Sequence, residues 1–170
     1  MNSFRLWYPQ LDIYDAIRRM AHLLSAASER TFSSERLYIL DFYLANPPLL
    51  HLTHMPSEMR KKFGALRISR PEKLFLSYPA PPLLFQKMEA VQRDSLSTML
   101  AKGLVVGSDA TSVEVRLSEL GKRVASEQLA ALLSETESRV LPFLQGEFAT
   151  IGADDVTALH RATGLRRAGR

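Results

Sequence analysis

The chain has 170 residues, 46% of them hydrophobic, which is enough for one domain with a sizeable core. It contains no cysteine, which excludes disulfides and cysteine-ligated zinc fingers. No apolar run approaches the ~18 residues of a membrane span, and the N-terminus lacks the pattern of a signal peptide. We therefore expect a cytoplasmic protein that does not bind a membrane.

The net charge of +4 is concentrated in one segment. Residues 57–73 contain six cationic and two acidic side chains, whereas the rest of the chain carries sixteen of each. Localised positive charge suits contact with phosphate backbones or with an acidic protein, and a solvated surface is the simplest alternative. The candidate DNA- or partner-binding residues are Arg60, Lys61, Lys62, Arg67, Arg70 and Lys73.

The first predicted helix covers residues 13–24, where apolar side chains recur at spacings of three and four. Asp12 precedes it as a plausible N-cap, and the same periodicity places Arg18 and Arg19 on the outer side. Residues 25–32 are predicted to form a polar connection to the next helix.

The second predicted helix, over residues 35–45, is apolar nearly all round. Such a helix must be covered on more than one side, by its own domain or by a partner. Asp41 is the exception to this apolar pattern. If it is buried, its carboxylate needs a partner, such as Arg18, Arg36 or a backbone amide. Catalysis is the alternative explanation for it. The candidate core or partner-interface residues are Leu37, Tyr38, Leu40, Asp41, Phe42 and Tyr43.

The middle of the chain favours no metal site. His51 and His54 lie three residues apart, but no further histidine or carboxylate is spaced to complete a set of ligands. A short basic helix is predicted over residues 58–63, with Ser57 as its N-cap and Gly64 at its end. The proline-rich residues 78–82 predict a stiff break that excludes helix and central strand.

A second pattern starts after this break. Residues 84–102 predict an amphipathic helix, followed by Gly103 as a left-handed C-cap, a strand over 104–106, a turn over 107–110 and a strand over 112–117. This succession is typical of a winged helix-turn-helix, from the end of its recognition helix through its wing. An unrelated α+β domain that carries a hairpin is the alternative.

The C-terminal part is predicted to be helical. Ser118 caps a long helix over residues 119–140, which Pro142 and Gly146 interrupt, and Asp154 or Asp155 caps a short final helix. Residues 164–170 are expected to form a frayed basic tail. The predicted fold is mainly α with a small β-hairpin, in three regions that together form one compact domain. They are an N-terminal helical region (1–78), a winged-helix unit (79–133) and a C-terminal extension (134–170).

Signatures of catalysis are absent from the sequence. It has no Gly-rich phosphate loop, no Gly-x-Ser-x-Gly nucleophile elbow and no His-Glu-x-x-His. Four scattered histidines without a cysteine leave few bases for a nucleophilic triad. We therefore expect no enzymatic activity, no cofactor and no bound metal.

Two stretches, residues 14–24 and residues 37–47, resemble the middle components of ABC-three-component systems. The second stretch has the Asp-Phe-Tyr sequence, residues 41–43, at its centre. These are small subunits that accompany an SMC- or Rad50-like ATPase and an effector, as in Lamassu-type anti-phage and anti-plasmid complexes. The resemblance implies a winged-helix adaptor that sits on the ATPase heads, helps to engage DNA through non-specific backbone contacts, and holds or releases an effector, often a nuclease. It implies no catalytic residues.

The main alternative is a free-standing winged-helix transcription regulator. Such a protein presents Arg, Lys, Asn or Gln to base edges from its recognition helix. The predicted helix carries the residues Gln86, Lys87, Gln92 and Arg93, but also Glu89 and Asp94. This nearly neutral set fits sequence-specific recognition poorly. An enzyme or toxin is the third possibility.

Overall fold

The computed structural model describes residues 8–25, 31–73, 78–107 and 114–166. Within these ranges the chain is mainly helical, with one small antiparallel sheet of three strands, as the predicted class requires. The helices are α1 (Ile13–Ser25), α2 (Ser34–Ala45), α3 (Ser57–Ala65), α4 (Pro81–Ala101), α5 (Glu119–Val124), α6 (Glu135–Gln145) and α7 (Val156–Thr163). The strands are β1 (Phe32–Ser33), β2 (Val105–Gly107) and β3 (Glu114–Leu117).

Helix α2 is the centre of the fold. Its side chains from Arg36 to Leu44 are all buried, and α1, α4, α6 and α7 pack around it. The Phe42 ring makes edge-to-face contacts with Tyr43 and Phe85, at centroid distances of 5.0 and 5.6 Å. The prediction that this helix is covered on more than one side is confirmed. Its apolar candidates for a partner interface are core residues of this chain.

Helix α4 confirms the predicted amphipathic helix but begins earlier than expected. Pro81 and Pro82 form its first turn, where the missing N–H groups need no intrahelical partner. The predicted exclusion of helix through Pro82 is therefore wrong. At the other end the chain turns at Gly103, whose φ of 68° confirms the predicted left-handed residue.

The sheet has the order β1-β3-β2, with both pairs antiparallel. Phe32 pairs with Val115, and Val105 pairs with Leu117. These four side chains are buried, whereas Glu114 and Arg116 are exposed, which is the alternation expected of a half-buried strand. Strand β1 lies where a polar connection was predicted. Residues 108–113, which include most of the predicted turn (107–110) and the start of the second predicted strand, lie outside the described residues.

The single helix predicted over residues 119–140 is wrong. After α5 the chain passes through a π-helical turn (Ala125–Leu129) and a 3₁₀ turn (Ala130–Leu132), and α6 starts afresh. Ser134 Oγ accepts a hydrogen bond from the Glu137 N–H, and Glu137 Oε2 accepts one from the Ser134 N–H. This reciprocal capping box fixes a new helix start. Leu132, in the 3₁₀ turn, is 55% exposed.

The C-terminal helices depart from prediction in detail. Helix α6 continues through Pro142, which therefore does not interrupt it, and ends before Gly146. Asp155 caps α7 by accepting a hydrogen bond from the Thr157 N–H, as predicted. Leu165 is only 4% exposed, so the predicted frayed tail is packed at its start. Residues 167–170 lie outside the described ranges.

Elements from all three predicted regions contribute to a single cluster of buried side chains. Strand β1 comes from the N-terminal region and pairs with β3 of the following one. Among the described residues, no helix is both long and apolar enough to cross a membrane.

Candidate nucleic-acid and partner interface

Helix α3 is anchored to the core by one face. Met59 and Phe63 are buried, and the Phe63 ring packs against His51 and Phe143, at centroid distances of 4.8 and 5.6 Å. The opposite face of the same helix presents its cationic side chains to solvent. The amphipathic pattern of α3 therefore displays the basic segment on the surface.

Several predicted basic residues have a carboxylate close by. Lys61 Nζ lies 2.7 Å from Glu58 Oε1, Lys62 Nζ lies 2.8 Å from Glu147 Oε1, and Arg70 lies 3.9 Å from Glu72. The hydrogen bond from Lys62 lowers the pKa of the Glu147 carboxyl. The pairs neutralise part of the positive charge of this segment. Because they are exposed to solvent, they add little to the stability of the fold.

Three arginines of this surface lack such a carboxylate. Arg60 donates to the Thr53 carbonyl oxygen at 2.6 Å, and Arg139 donates from Nη1 to the Leu66 carbonyl oxygen at 3.1 Å. Arg67 is exposed next to Leu66. Within the described part of the chain, no carboxylate oxygen lies within 4.0 Å of these guanidinium groups. For the sixth candidate, Lys73, the side chain lies outside the described residues.

Sequence reasoning missed Arg139 because it assigned this residue to one continuous long helix. The structure brings α6 against the end of α3 and adds this cation to the surface. The capping box at Ser134 and Glu137 is the sequence signal that could have separated the two helices.

Asp41 belongs to a buried network and not to this surface. Arg19 Nε donates to Asp41 Oδ1 at 2.7 Å, and Gln92 Nε2 donates to Asp41 Oδ2 at 2.9 Å. Arg19 also binds Asp15. Burial lowers the pKa of Arg19, but the charges of Asp41 and Asp15 outweigh this effect and raise it. The Arg19 guanidinium group therefore stays charged in the core.

The partner predicted for Asp41 was wrong. Arg19 was expected on the outer side of its helix, yet it is 1% exposed. Arg18 instead binds Asp15 and Glu137, at 2.8 and 2.7 Å, and Arg36 donates to backbone carbonyl groups that follow α6. The network ties α1, α2 and α4 together, and its satisfied charges account for Asp41 in structural terms.

The cleft beside this network has a volume of about 500 Å³. Its charged lining residues are Asp15, Arg18, Arg19 and Glu137, which bind one another. Across the residues that the structure describes, no group of three or more His, Asp or Glu side chains is placed to hold a metal ion. The Nε2 atom of His51 lies 2.8 Å from the Ile68 carbonyl oxygen, in hydrogen-bond contact.

Comparison with protein-family models matches residues 5–168 to the ABC-three component (ABC-3C) system Middle Component 5. The chain belongs to this family. Searches of curated proteins and of solved structures found no match. The predicted resemblance is confirmed at the level of an ABC-3C middle component, whereas the Lamassu-type and SMC-like assignments remain predictions.

Membership of the ABC-3C family makes this chain one component of a multi-component system. A middle component has partner components, so surfaces that its own fold leaves free matter for its function. One such surface is the basic surface, formed by Arg60, Lys61, Lys62, Arg67, Arg70 and Arg139. The exposed apolar side chains at the start of α1 form another, and they are Tyr8, Leu11, Ile13 and Tyr14.

Proposed function

We propose that this ABC-3C middle component is a non-catalytic winged-helix adaptor of a defence complex. In this proposal it joins an SMC- or Rad50-like ATPase, DNA and an effector nuclease, and it contacts DNA mainly through the phosphate backbone. The observation that carries the proposal is the family match, which extends over nearly the whole chain.

The order of the elements supports a winged helix. Apart from the inserted helix α3, the elements come in the order α1, β1, α2, α4 and the β2–β3 hairpin, with β3 in the middle of the sheet. A winged helix has this order, with the recognition helix directly before the hairpin. In this chain α4 has that position, and residues 47–80 are inserted where the turn of a helix-turn-helix would be.

The exposed face of α4 argues against the alternative of a sequence-specific regulator. Lys87 and Arg93 are exposed, but so is Asp94. Arg93 Nη2 lies 3.9 Å from Glu89 Oε1, so this cation already has a carboxylate partner on the same helix. Recognition of base edges relies on unpaired Arg, Lys, Asn and Gln side chains. This face is nearly neutral, so we assign DNA contact to the basic surface and not to α4.

The apolar side chains at the start of α1 support a protein partner. Tyr14 is 81% exposed and Tyr8 is 56% exposed, although aromatic side chains are costly to leave in water. Clustered exposed apolar residues mark protein-binding surfaces. A middle component would use such a surface to hold one of its partner components.

Co-purification tests this proposal most directly. The chain, tagged and co-expressed with the other components of its system, is expected to retain them, and Tyr14→Asp is expected to weaken that retention without unfolding the chain. Thr157→Asp, at an exposed position on α7, is the control. Tight binding of the isolated chain to one particular duplex would instead support a regulator. Nuclease or NTPase activity of the isolated chain would support an enzyme.

A further inference from the structure

We propose that Arg67 and Arg139 together form the principal phosphate-binding site of the basic surface, with duplex DNA as the ligand. This inference rests on the proposed DNA contact of this middle component and deepens it. It selects one residue from the predicted basic segment and adds one from outside that segment.

The first observation is the backbone of Arg67. Its φ is 54°, and it is the one non-glycine residue with positive φ among those that the structure describes. This left-handed conformation brings Cβ close to the backbone, so helices usually place glycine or asparagine there. An arginine at this position is therefore disfavoured on conformational grounds and calls for another explanation.

The position of Arg67 is set by the end of α3. Its N–H donates to the Gly64 carbonyl oxygen at 3.2 Å, as at a left-handed helix terminus. The predicted helix end at Gly64 is thus wrong, because Gly64 lies inside α3. Ending the helix later allows Ile68 to be buried, with His51 contacting both Ile68 and Phe63. This packing accounts for the turn but not for the arginine in it.

The second observation is the neighbouring cation. Arg139 Nη1 donates to the Leu66 carbonyl oxygen at 3.1 Å. This bond holds the Arg139 guanidinium group at the residue that directly precedes Arg67. A guanidinium group has five N–H donors, so this bond leaves most of them available. The hydrogen bond also positions a side chain that would otherwise move freely in solvent.

The third observation is the absence of neutralising groups in the described part of the chain. Lys61, Lys62 and Arg70 each have a carboxylate within 4.0 Å, and Arg67 and Arg139 have none. Glu135 lies one helical turn before Arg139 but is not within that distance. Guanidinium groups bind phosphate oxygens in bidentate geometry. One free guanidinium group held at the Leu66 carbonyl oxygen and a second on the next residue, Arg67, therefore make a better phosphate site than the paired lysines.

The test uses the full chain co-purified with its partner components and a fluorescently labelled duplex of random sequence. DNA affinity is measured over a series of KCl concentrations for wild type, Arg67→Gly, Arg139→Gln and the double variant. Each phosphate that a variant no longer neutralises should reduce the log–log slope of affinity against salt by about 0.9, so the slope of the double variant should fall by about 1.8. Arg161→Gln, an exposed arginine on α7, is the control and should leave the slope unchanged.

Thermal unfolding of the same variants supplies the second readout. Glycine fits the left-handed conformation, so Arg67→Gly should melt at a temperature equal to or above that of wild type while binding DNA more weakly. Unchanged slopes for both arginine variants, with wild type binding DNA, would overturn this inference and leave the proposed DNA contact standing. No binding by wild type would overturn both. Dissociation of a partner component from Arg67→Gly, with DNA affinity unchanged, would overturn the inference by assigning the site to an acidic protein surface.

Discussion

The two charged regions of this middle component use the same residue types in opposite ways. In the core, Arg19 and Asp41 are almost fully buried and bonded to each other, and with Asp15 and Gln92 they form a network that joins three helices. On the basic surface, the cations are exposed, and the ion pairs that Lys61 and Lys62 make are screened by solvent. Buried charges must be paired for the fold to exist, whereas exposed charges are available to a ligand.

This difference separates structural charge from functional charge. In the sequence, Arg19 and Arg67 are equivalent cations. In the structure they differ, because the charge of Arg19 is satisfied within the fold and the charge of Arg67 is not. Variants in the core, at the link between helices and on the surface test this separation, in order of decreasing loss of stability.

The largest effect is expected in the core. Asp41→Ala removes the partner of a guanidinium group that is 1% exposed and that the fold keeps charged. Leaving one charge of a buried pair uncompensated costs about 3–5 kcal/mol. Urea denaturation should therefore show a decrease in the free energy of unfolding of that size, with no partner component or DNA needed to observe it.

The double variant Arg19→Met/Asp41→Leu is the matched control for Asp41→Ala. It removes both charges and fills the space with apolar groups, so it should be more stable than Asp41→Ala alone. A double variant that is less stable than the single one would show that Arg19 contributes chiefly through Asp15 and the backbone.

An intermediate effect is expected at the link between α1 and α6. Glu137 is partly buried, which raises its pKa, but hydrogen bonds from Arg18 and Ser134 outweigh burial and lower it. A carboxyl with a lowered pKa in the folded state stabilises the fold above its unfolded pKa of about 4.3, and this contribution disappears as pH falls through the folded value. Glu137→Gln should therefore cost about 1–2 kcal/mol at neutral pH, as for removal of a cap.

Denaturation at several pH values checks the sign of this effect. The difference between wild type and Glu137→Gln should shrink as the pH falls below about 4, because wild type then loses the carboxylate as well. If the difference stays constant with pH, the loss of stability in Glu137→Gln has a steric cause, and the charge of Glu137 is unimportant.

The elements that could be predicted from the sequence are those whose signal is local. Helix α2 is apolar nearly all round within twelve residues, and the turn at Gly103 follows directly on an amphipathic helix. The burial of Arg19 could not be found this way, because its partner Asp41 lies 22 residues further along the chain. Strand β1 has two residues, too few for any periodicity to show.

The basic surface shows the same limit. Its position in the chain could be predicted from charge alone, but which cations are free could not, because the pairing of Lys62 with Glu147 joins residues 85 apart. Arg139 enters the surface only through the packing of α6 against the end of α3. Gly64 was the local signal for a helix end, and the burial of Ile68 overrides it.

The smallest effect on stability, and the most direct test of the central claim, is expected from replacing Arg60, Lys61 and Lys62 together by Glu. These exposed side chains contribute little to folding, so the melting temperature should change only slightly. The measurement is a salt titration of DNA affinity for wild-type and triple-Glu complexes. We expect weaker binding to all sequences and a shallower salt dependence, by about 0.9 for each phosphate that is no longer neutralised. Three carboxylates on the same basic surface as Arg67 and Arg139 should repel phosphates, so identical affinities and slopes would contradict the account and would assign the basic surface to a protein partner or to solvent.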